Sequence, residues 1–140
     1  LLEYTRYADN GYGTPRAAAE EVLASGRHLI LEIEVDGATQ IKKKYPGAVL
    51  VMVTPPNIEE QRRRLYGRGR DTEESILKRL TRARDELDYL SVYDYLITNE
   101  TDALNKAVDD FFALVRAEEL RAACDIHFKN IYFGDAEQGV

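Results

Sequence analysis

Two short apolar segments constrain the fold of this 140-residue chain more than any other feature. Residues 28–35 read HLILEIEV and residues 48–53 read AVLVMV. Apolar runs of this length are typical of strands that are buried in a parallel sheet. Residues 37–45, which lie between them, have a helical pattern that ends in three consecutive lysines. A strand, a helix and a second strand in this order predict an α/β fold with a mostly parallel sheet.

The rest of the chain continues the alternation of strands and helices. Glycine, proline and helix-capping residues mark the boundaries of the elements. The predicted elements are a strand at 1–7, a turn at 9–13, a helix at 15–24, helices capped by Asn57 and Thr72, a strand at 93–98 and a helix at 102–123. In the helix at 15–24, Ala18, Val22 and Leu23 are predicted to face inward, and Gly26 is predicted to end the helix. In the helix after Thr72, apolar residues recur at helical spacing, which indicates core packing. Residues 126–140 show no clear period.

Composition excludes several classes of function. The formal net charge is −6, and no basic face extends beyond one arginine-rich segment, which argues against general nucleic-acid binding. The single cysteine, Cys124, excludes an internal disulfide and suits a reducing cytosol. No apolar run is long enough to span a bilayer, and no cysteine and histidine spacing fits zinc. We therefore expect a soluble cytoplasmic protein.

The arginine-rich segment is residues 62–84, which breaks at Gly67-Arg68-Gly69 and restarts after Asp71. A cationic cluster on an acidic chain can bind a polyphosphate. It can equally consist of surface arginines that are solvated or paired with nearby carboxylates. The residues alone leave both interpretations open.

Polar side chains follow two of the predicted strands, where ligands bind in open α/β sheets. Glu32 and Glu34 lie near the carboxyl end of one strand, and Asn99 lies just beyond another. Two carboxylates at this edge can hold a nucleobase or, through water, a Mg²⁺ ion that is bound to nucleotide phosphates. The alternative is that both glutamates are simply solvated.

The first segment adds Glu3, Tyr12 and Thr14 to the candidate residues. A carboxylate can accept two hydrogen bonds from the N1–H and amino group of guanine, a pattern that adenine does not offer. The two hydroxyl groups can bind a phosphate or a purine oxygen. Each signal is weak by itself, because a tyrosine in a glycine-flanked turn is usually a loop anchor.

Several motifs, in order along the chain, resemble those of the guanylate kinase family. The resemblance runs from residue 3 to about residue 122. The matching stretches are LLEYTRYADNGYGTP, HLILEIEVDGATQIKKKYP, VTPPNIEEQRRRLYGRGRDTEESILKRL and YDYLITNE. The family transfers the terminal phosphoryl group of ATP to GMP with Mg²⁺ in purine nucleotide metabolism. The resemblance thus implies a P-loop-kinase-like sheet flanked by helices, with part of a GMP-binding subdomain and a helical lid.

The resemblance also assigns roles to individual residues. The GMP-binding residues would be Glu3, Tyr12, Thr14 and Glu32, with Tyr12 at the phosphate. The catalytic residues would be the lid arginines Arg64, Arg68 and Arg79. ATP would contact Arg68 and Asn99, and Glu34 would lie near the metal through water. The remaining arginines of the segment are expected to be solvated surface residues: Arg62, Arg63, Arg82 and Arg84.

One family motif has no counterpart in the 140 residues. The phosphate-binding loop G-x-x-x-x-G-K-[ST] is absent, and neither Gly11-Tyr12-Gly13 nor Gly67-Arg68-Gly69 has its spacing. We therefore expect the carboxyl-terminal two-thirds of a guanylate kinase, inactive by itself. Its predicted organisation is a partial domain at 1–125, with a GMP-binding segment at 1–14 and a lid at 62–84, and a tail at 126–140.

Two other interpretations remain at this point. Guanylate-kinase-like domains in scaffold proteins bind peptides and have lost catalysis, and a non-functional truncation product is a further alternative. Retention of the lid arginines and of Asn99 favours the enzyme, because a peptide-binding module has no use for an ATP-side lid. The expected partners are therefore GMP, with dGMP as a second substrate, and ATP. No nucleic-acid or membrane partner is expected, and homo-oligomerisation is left open.

Overall fold

The computed structural model describes residues 1–7, 9–122 and 127–134. They form a mixed α/β arrangement of small sheets and helices. The strands are β1 (Tyr4–Tyr7), β2 (Asn10–Gly13), β3 (Val51–Thr54) and β4 (Tyr95–Thr98). The helices are α1 (Arg16–Ala24), α2 (Val35–Lys44), α3 (Ile58–Gly67), α4 (Glu73–Leu87), α5 (Leu104–Glu119) and α6 (Phe128–Phe133), with a 3₁₀ turn at Leu90–Val92.

A parallel pair of strands, β3 and β4, packs against helix α5. Val51 pairs with Tyr95 and Thr54 with Thr98, and the Asn99 N–H continues the ladder by donating to the Thr54 carbonyl at 2.7 Å. Helix α5 covers this pair through a cluster formed by Ile97, Ala107 and Leu114. The predicted parallel sheet is therefore present, and Asn99 lies just beyond β4 as expected.

Strands β1 and β2 form an antiparallel hairpin, so the predicted turn at 9–13 is wrong for residues 10–13. The turn is tighter than predicted, with Asp9 at a φ of 65°. The glycines of β2 meet neighbouring side chains instead of making a turn. A Cβ on Gly11 would lie 2.7 Å from Tyr4 Oη, and one on Gly13 would lie 2.8 Å from Leu1 Cδ1. Glycine in a strand often marks such a close approach.

The predicted strand at 28–35 is not a strand in the structure, and helix α2 already begins at Val35. Residues 28–34 have no strand beside them among the described residues, so no ladder of hydrogen bonds forms. The alternation of faces persists, because Leu29, Leu31 and Ile33 pack on a buried cluster. Ile30, on the other face, is 70% exposed. The segment therefore buries one face and leaves the other accessible.

Helix α1 buries different and fewer residues than predicted. Ala19 is its buried residue, whereas Ala18 and Leu23 are exposed. The helix rests on Leu2 and Ile41 through Ala19. The prediction of Ala18 and Leu23 as inward residues is therefore wrong, although Gly26 ends the helix with a φ of 76° as expected.

The two helices of the arginine-rich segment begin where their caps predict. Asn57 Oδ1 accepts a hydrogen bond from the Glu60 N–H at 2.8 Å, and Thr72 Oγ1 accepts one from the Ser75 N–H at 3.2 Å. Leu65 of α3 packs with two residues of the predicted apolar stripe of α4, Ile76 and Leu80. The segment therefore folds as a helical pair with its own small core.

The carboxyl-terminal part differs from the prediction in its helices. Helix α5 ends at Glu119, and residues 126–140, which had no predicted structure, include α6. Cys124 and the predicted boundary at 125 lie outside the described residues. None of the described helices is long and apolar enough to cross a membrane.

Asp94, just before β4, joins this strand to the end of α2. Its carboxylate accepts hydrogen bonds from the Leu50 N–H at 2.8 Å and from Lys42 Nζ at 2.9 Å. Lys42 also donates to the Ala48 carbonyl at 2.7 Å. Burial opposes ionisation of Asp94, but these two donors outweigh it and lower the pKa of the carboxyl below its ordinary 3.8.

We predict that Asp94→Asn lowers the free energy of unfolding by about 1 kcal/mol at pH 7, since a partly exposed charge-assisted bond is screened by solvent. A depressed carboxyl pKa stabilises the fold above the ordinary value, and this contribution is lost as the pH falls through the lowered value. Urea unfolding at pH 7 and below pH 3.8 measures it, with exposed Asp109→Asn as the control. A difference between wild type and Asp94→Asn that grew at low pH would contradict this account.

Candidate functional site

Glu3 is a buried carboxylate at the start of the β1–β2 hairpin. It is 4% exposed, and its Oε1 accepts a hydrogen bond from Thr14 Oγ1 at 2.7 Å. Its other oxygen lies against the first turn of α2, where a Cβ on Gly37 would be 2.8 Å from Oε2. The structure therefore brings together two of the residues predicted for guanine binding, and Gly37 makes room for the Glu3 carboxylate.

Thr5 was not predicted as a site residue, yet its hydroxyl lies in the same region. It is 6% exposed, and a Cβ on Gly37 would be 3.4 Å from its Oγ1. Among the described residues it is the buried side-chain oxygen without a hydrogen-bond partner. Sequence could not have revealed this, because a threonine in a short strand is ordinary.

Tyr12 and Glu32 are accessible residues. Tyr12 lies on β2 with 55% exposure, and Glu32 is exposed on the accessible face of residues 28–34. Within the described part of the chain, neither forms a hydrogen bond or ion pair with Glu3 or Thr14. The four residues predicted for GMP therefore consist of one hydrogen-bonded pair, in which Glu3 is buried, and two side chains open to solvent.

Glu34 is held by Arg82, which was predicted to be a solvated surface residue. Arg82 Nη2 donates to Glu34 Oε2, and Arg82 Nε donates to Glu86 Oε1 at 3.0 Å. The guanidinium also lies over the ring of Tyr7, 4.4 Å from its centroid. The surface prediction for Arg82 is therefore wrong, since its side chain is only 35% exposed and contacts three elements.

Burial affects the titration of the groups around Arg82. It raises the pKa of Glu86, to which the neighbouring Glu34 charge also contributes. Burial likewise raises the pKa of the Tyr93 phenol, with smaller contributions from the charges of Glu86 and Glu34. The two carboxylates thus repel each other, and Arg82 lies between them as the compensating cation.

Arg64 is the predicted lid arginine with the clearest anchor. Its Nε donates to Glu60 Oε1 at 2.9 Å, and its Nη2 donates to the carbonyl oxygen of Asn99 at 2.8 Å. The structure therefore brings Arg64 and Asn99 together. They lie at a cavity of about 460 Å³ whose other lining residues are Arg63, Glu100, Thr101, Asp102, Leu104 and Asn105.

The other two lid arginines do not share a partner with Arg64 among the described residues. Arg79 of α4 forms an ion pair with Asp71 at 3.7 Å. Arg68, at the end of α3, is exposed and has no ion pair in the described part of the chain. The three arginines thus lie on one helical pair, but they share no hydrogen-bond or ion-pair partner among the described residues. Arg62 and Arg84 are exposed, as predicted.

Glu60 is a further residue of this region that was not predicted. Hydrogen bonds from Arg63, Thr101 and Arg64, with that of Arg63 the largest, lower the pKa of the Glu60 carboxyl to about 2. Arg63 lies with 64% of its side chain exposed and donates through Nε and Nη2. The spacing of Glu60 to Arg63 and Arg64, three and four residues on a helix, could have indicated these pairs.

Comparisons with known proteins identify the family of this chain. The family model described as guanylate kinase matches residues 1–118. The chain is 45% identical to a guanylate kinase of Streptococcus thermophilus over 132 residues, which are 94% of this chain and 62% of that protein. It is 46% identical to a guanylate kinase of Thermus thermophilus over 122 residues, 87% of this chain and 54% of that protein.

The chain belongs to the guanylate kinase family. The crystal structure of guanylate kinase from Anaplasma phagocytophilum superposes with a TM-score of 0.70 at 26% identity, covering 87% of this chain and 57% of that one. This likeness confirms the predicted P-loop-kinase-like α/β fold. The chain spans between 54% and 62% of the length of these relatives. Every residue predicted for the guanylate kinase sites, from Glu3 to Asn99, lies inside the range matched by the family model.

We predict that Arg63→Met raises the pKa of Glu60 from about 2 towards its ordinary 4.5. Arg64→Met should raise it less, because the Arg63 hydrogen bond is the largest contribution. Carboxyl ¹³C NMR titration of the chain measures both values, with exposed Arg62→Met as the matched control. A wild-type Glu60 that titrated near 4.5 would show that the arginines do not hold it in solution.

Proposed function

We propose that this chain carries the guanine-recognition segment and the lid of an ATP-dependent guanylate kinase. The reaction is transfer of the terminal phosphoryl group of ATP to GMP, which gives ADP and GDP. The observation that supports it best is the buried Glu3 carboxylate, oriented by Thr14 at the edge of a family-matched domain. In this proposal residues 1–125 form the kinase domain, with the GMP-binding segment at 1–14 and the lid at 62–84, and residues 126–140 form a tail.

Guanine selection follows from the chemistry of Glu3. An ionised carboxylate accepts hydrogen bonds only, and guanine offers two adjacent donors, N1–H and the exocyclic amino group. Adenine presents an acceptor at N1, so the same carboxylate would face an unpaired lone pair. Glu32 supplies a second carboxylate for the base and Tyr12 a hydroxyl for the GMP phosphate. dGMP carries the same base and is the expected second substrate.

The lid arginines stabilise the negative charge that spreads over the transferring phosphoryl oxygens. In related phosphoryl transfers one such arginine is worth roughly a thousandfold or more in rate. Arg64, Arg68 and Arg79 take this role, and Arg68 and Asn99 contact ATP. The bond from Arg64 to the Asn99 carbonyl supports the proposal, because it links a phosphate-binding side chain to the adenine side.

Mg²⁺ is the expected cofactor besides ATP. When bound, it would neutralise charge on the nucleotide phosphates, and Glu34 would hold it through water. Glu34 fits a water-mediated role, because its carboxylate is already oriented by Arg82 and Mg²⁺ on phosphates needs few protein ligands. Among the described residues, no group of three or more His, Cys, Asp or Glu side chains is placed to hold a metal ion.

The 140 residues by themselves are expected not to catalyse the reaction. They contain no G-x-x-x-x-G-K-[ST] sequence, whose backbone amides and lysine bind the phosphates of the donor nucleotide in P-loop enzymes. A cytoplasmic location and small-molecule substrates fit the acidic composition and the single cysteine. Nucleic acid is not an expected partner, since the net charge is −6.

Activity can be tested in a completed enzyme, defined as this chain fused at its amino terminus to the phosphate-binding-loop region of the Streptococcus thermophilus guanylate kinase. The completed enzyme should form ADP in the presence of ATP, Mg²⁺ and GMP, with AMP as the control substrate. The 140-residue chain alone should form none. A completed enzyme that unfolds cooperatively and binds GMP without turnover would favour a non-catalytic module instead.

In the completed enzyme, we predict that Glu3→Gln lowers kcat/KM for GMP by roughly tenfold to a hundredfold, because one hydrogen bond to a charged acceptor is lost. Discrimination against AMP should shrink by the same factor. Steady-state kinetics with both nucleotides measures this, and Glu20→Gln on the exposed side of α1 is the control. Unchanged selectivity in Glu3→Gln would remove Glu3 from the base site.

We predict that Arg68→Ala lowers kcat of the completed enzyme by roughly a hundredfold or more, whereas KM for GMP changes by less than about threefold. Arg68 is exposed, so the substitution should leave the unfolding transition unchanged. Turnover equal to that of the wild type would contradict the assignment of residues 62–84 as the lid.

A further inference from the structure

Arg82 connects three parts of the chain that are far apart in sequence. Its guanidinium donates to Glu34, 48 residues away at the start of α2, and to Glu86 one turn along α4. It also covers the ring of Tyr7 on β1. Helix α4 belongs to the proposed lid, and β1 belongs to the proposed GMP-binding segment. One side chain therefore joins the proposed lid both to the proposed GMP-binding segment and to Glu34.

The chemistry of these contacts requires arginine. A planar guanidinium can donate to two carboxylates from different nitrogens and present its face to an aromatic ring at the same time. A lysine ammonium is a point charge without such a face, so it can replace the bond to Glu34 but not the whole arrangement. The helical neighbour Arg84 is exposed and has no ion pair among the described residues, so it supplies a matched comparison.

The bond to Glu34 has a further consequence because Glu34 and Glu86 are close. Arg82 donates to both carboxylates, so both lie within hydrogen-bond reach of one guanidinium. Without the guanidinium, two neighbouring carboxylates on separate elements would repel each other. Glu34 would then turn away from its present direction, and only the backbone of α2 would restrain it.

We propose that Arg82 is a positioning residue for phosphoryl transfer, which holds the Glu34 carboxylate in place and fixes the second lid helix to the β1–β2 hairpin through Tyr7. The inference rests on the proposed kinase function and adds to it a residue outside the predicted lid arginines. Arg82 acts through Glu34 and Tyr7 and does not itself contact the nucleotides. Its removal therefore affects turnover more than substrate binding.

The test compares Arg82→Met, Arg82→Lys and Arg84→Met in the completed enzyme. Methionine keeps much of the length and apolar stem of Arg82 but removes its charge. We expect Arg82→Met to lower kcat by about tenfold with KM for GMP within about threefold of the wild type. Arg82→Lys should recover part of the lost kcat, because an ammonium still pairs with Glu34 but has no planar face for the ring of Tyr7. Arg84→Met should behave like the wild type.

A second readout does not depend on activity. In NMR spectra of the 140-residue chain, Arg82→Met should shift the ring protons of Tyr7 and the amide of Glu34, and Arg84→Met should shift neither. Unmoved signals in Arg82→Met would mean that the contacts are absent in solution, and the proposal would fail.

The kinetic outcomes separate this inference from the proposed function. An inactive wild-type completed enzyme would overturn the kinase proposal, and this inference with it. An active wild type with unchanged kcat in Arg82→Met would overturn this inference alone. A loss of kcat that lysine does not restore, accompanied by an equal rise in KM and a loss of cooperative unfolding, would assign Arg82 a purely structural role and also overturn it.

Discussion

The close contact between the β1–β2 hairpin and α2 is the constraint on which the candidate site depends. Gln40 of α2 bonds to both backbone groups of Tyr4, donating through Nε2 at 2.8 Å and accepting through Oε1 at 3.1 Å. Lys44 donates to the Leu2 carbonyl on the same side. These hydrogen bonds hold the hairpin against α2. Gly37 lets the Glu3 carboxylate lie against the helix without a clash. Guanine recognition in the proposed enzyme therefore depends on backbone packing as much as on the carboxylate.

The arginines of the acidic chain form separate ion-pair groups, and each group has a different orienting effect. Arg64 joins α3 to the end of β4 at Asn99, and Arg82 joins α4 to the start of α2 at Glu34. Partly exposed ion pairs contribute little to stability, so their main effect is to orient the side chains and helices that they join. Each helix of the proposed lid is therefore connected by one arginine to another element: α3 to the residue after β4, and α4 to the residue before α2.

Sequence predicted the features that arise from local signals. The caps at Asn57 and Thr72 and the stop at Gly26 depend on neighbouring backbone groups, and all three are found. The strand at 28–35 was wrong because strand formation depends on a partner that the segment's own residues do not specify. The glycines of β2 were read as a turn because their real requirement, contact with Tyr4 and Leu1, is tertiary. The sequence indicated Glu3 and Thr14 only as two separate candidates. The hydrogen bond between them forms when the hairpin brings the two residues together.

The error over Arg82 shows why a charged segment cannot be interpreted as a block. Arg82 and Arg84 have the same side chain on the same helix, and their sequence neighbourhoods look alike. Two helical positions are separated by about 200° around the axis, so the two arginines point to opposite sides. One meets Tyr7 and Glu34, and the other meets solvent. The contacts of Arg82 and Arg84 therefore depend on which side of α4 faces the hairpin, and only the packed structure shows that side.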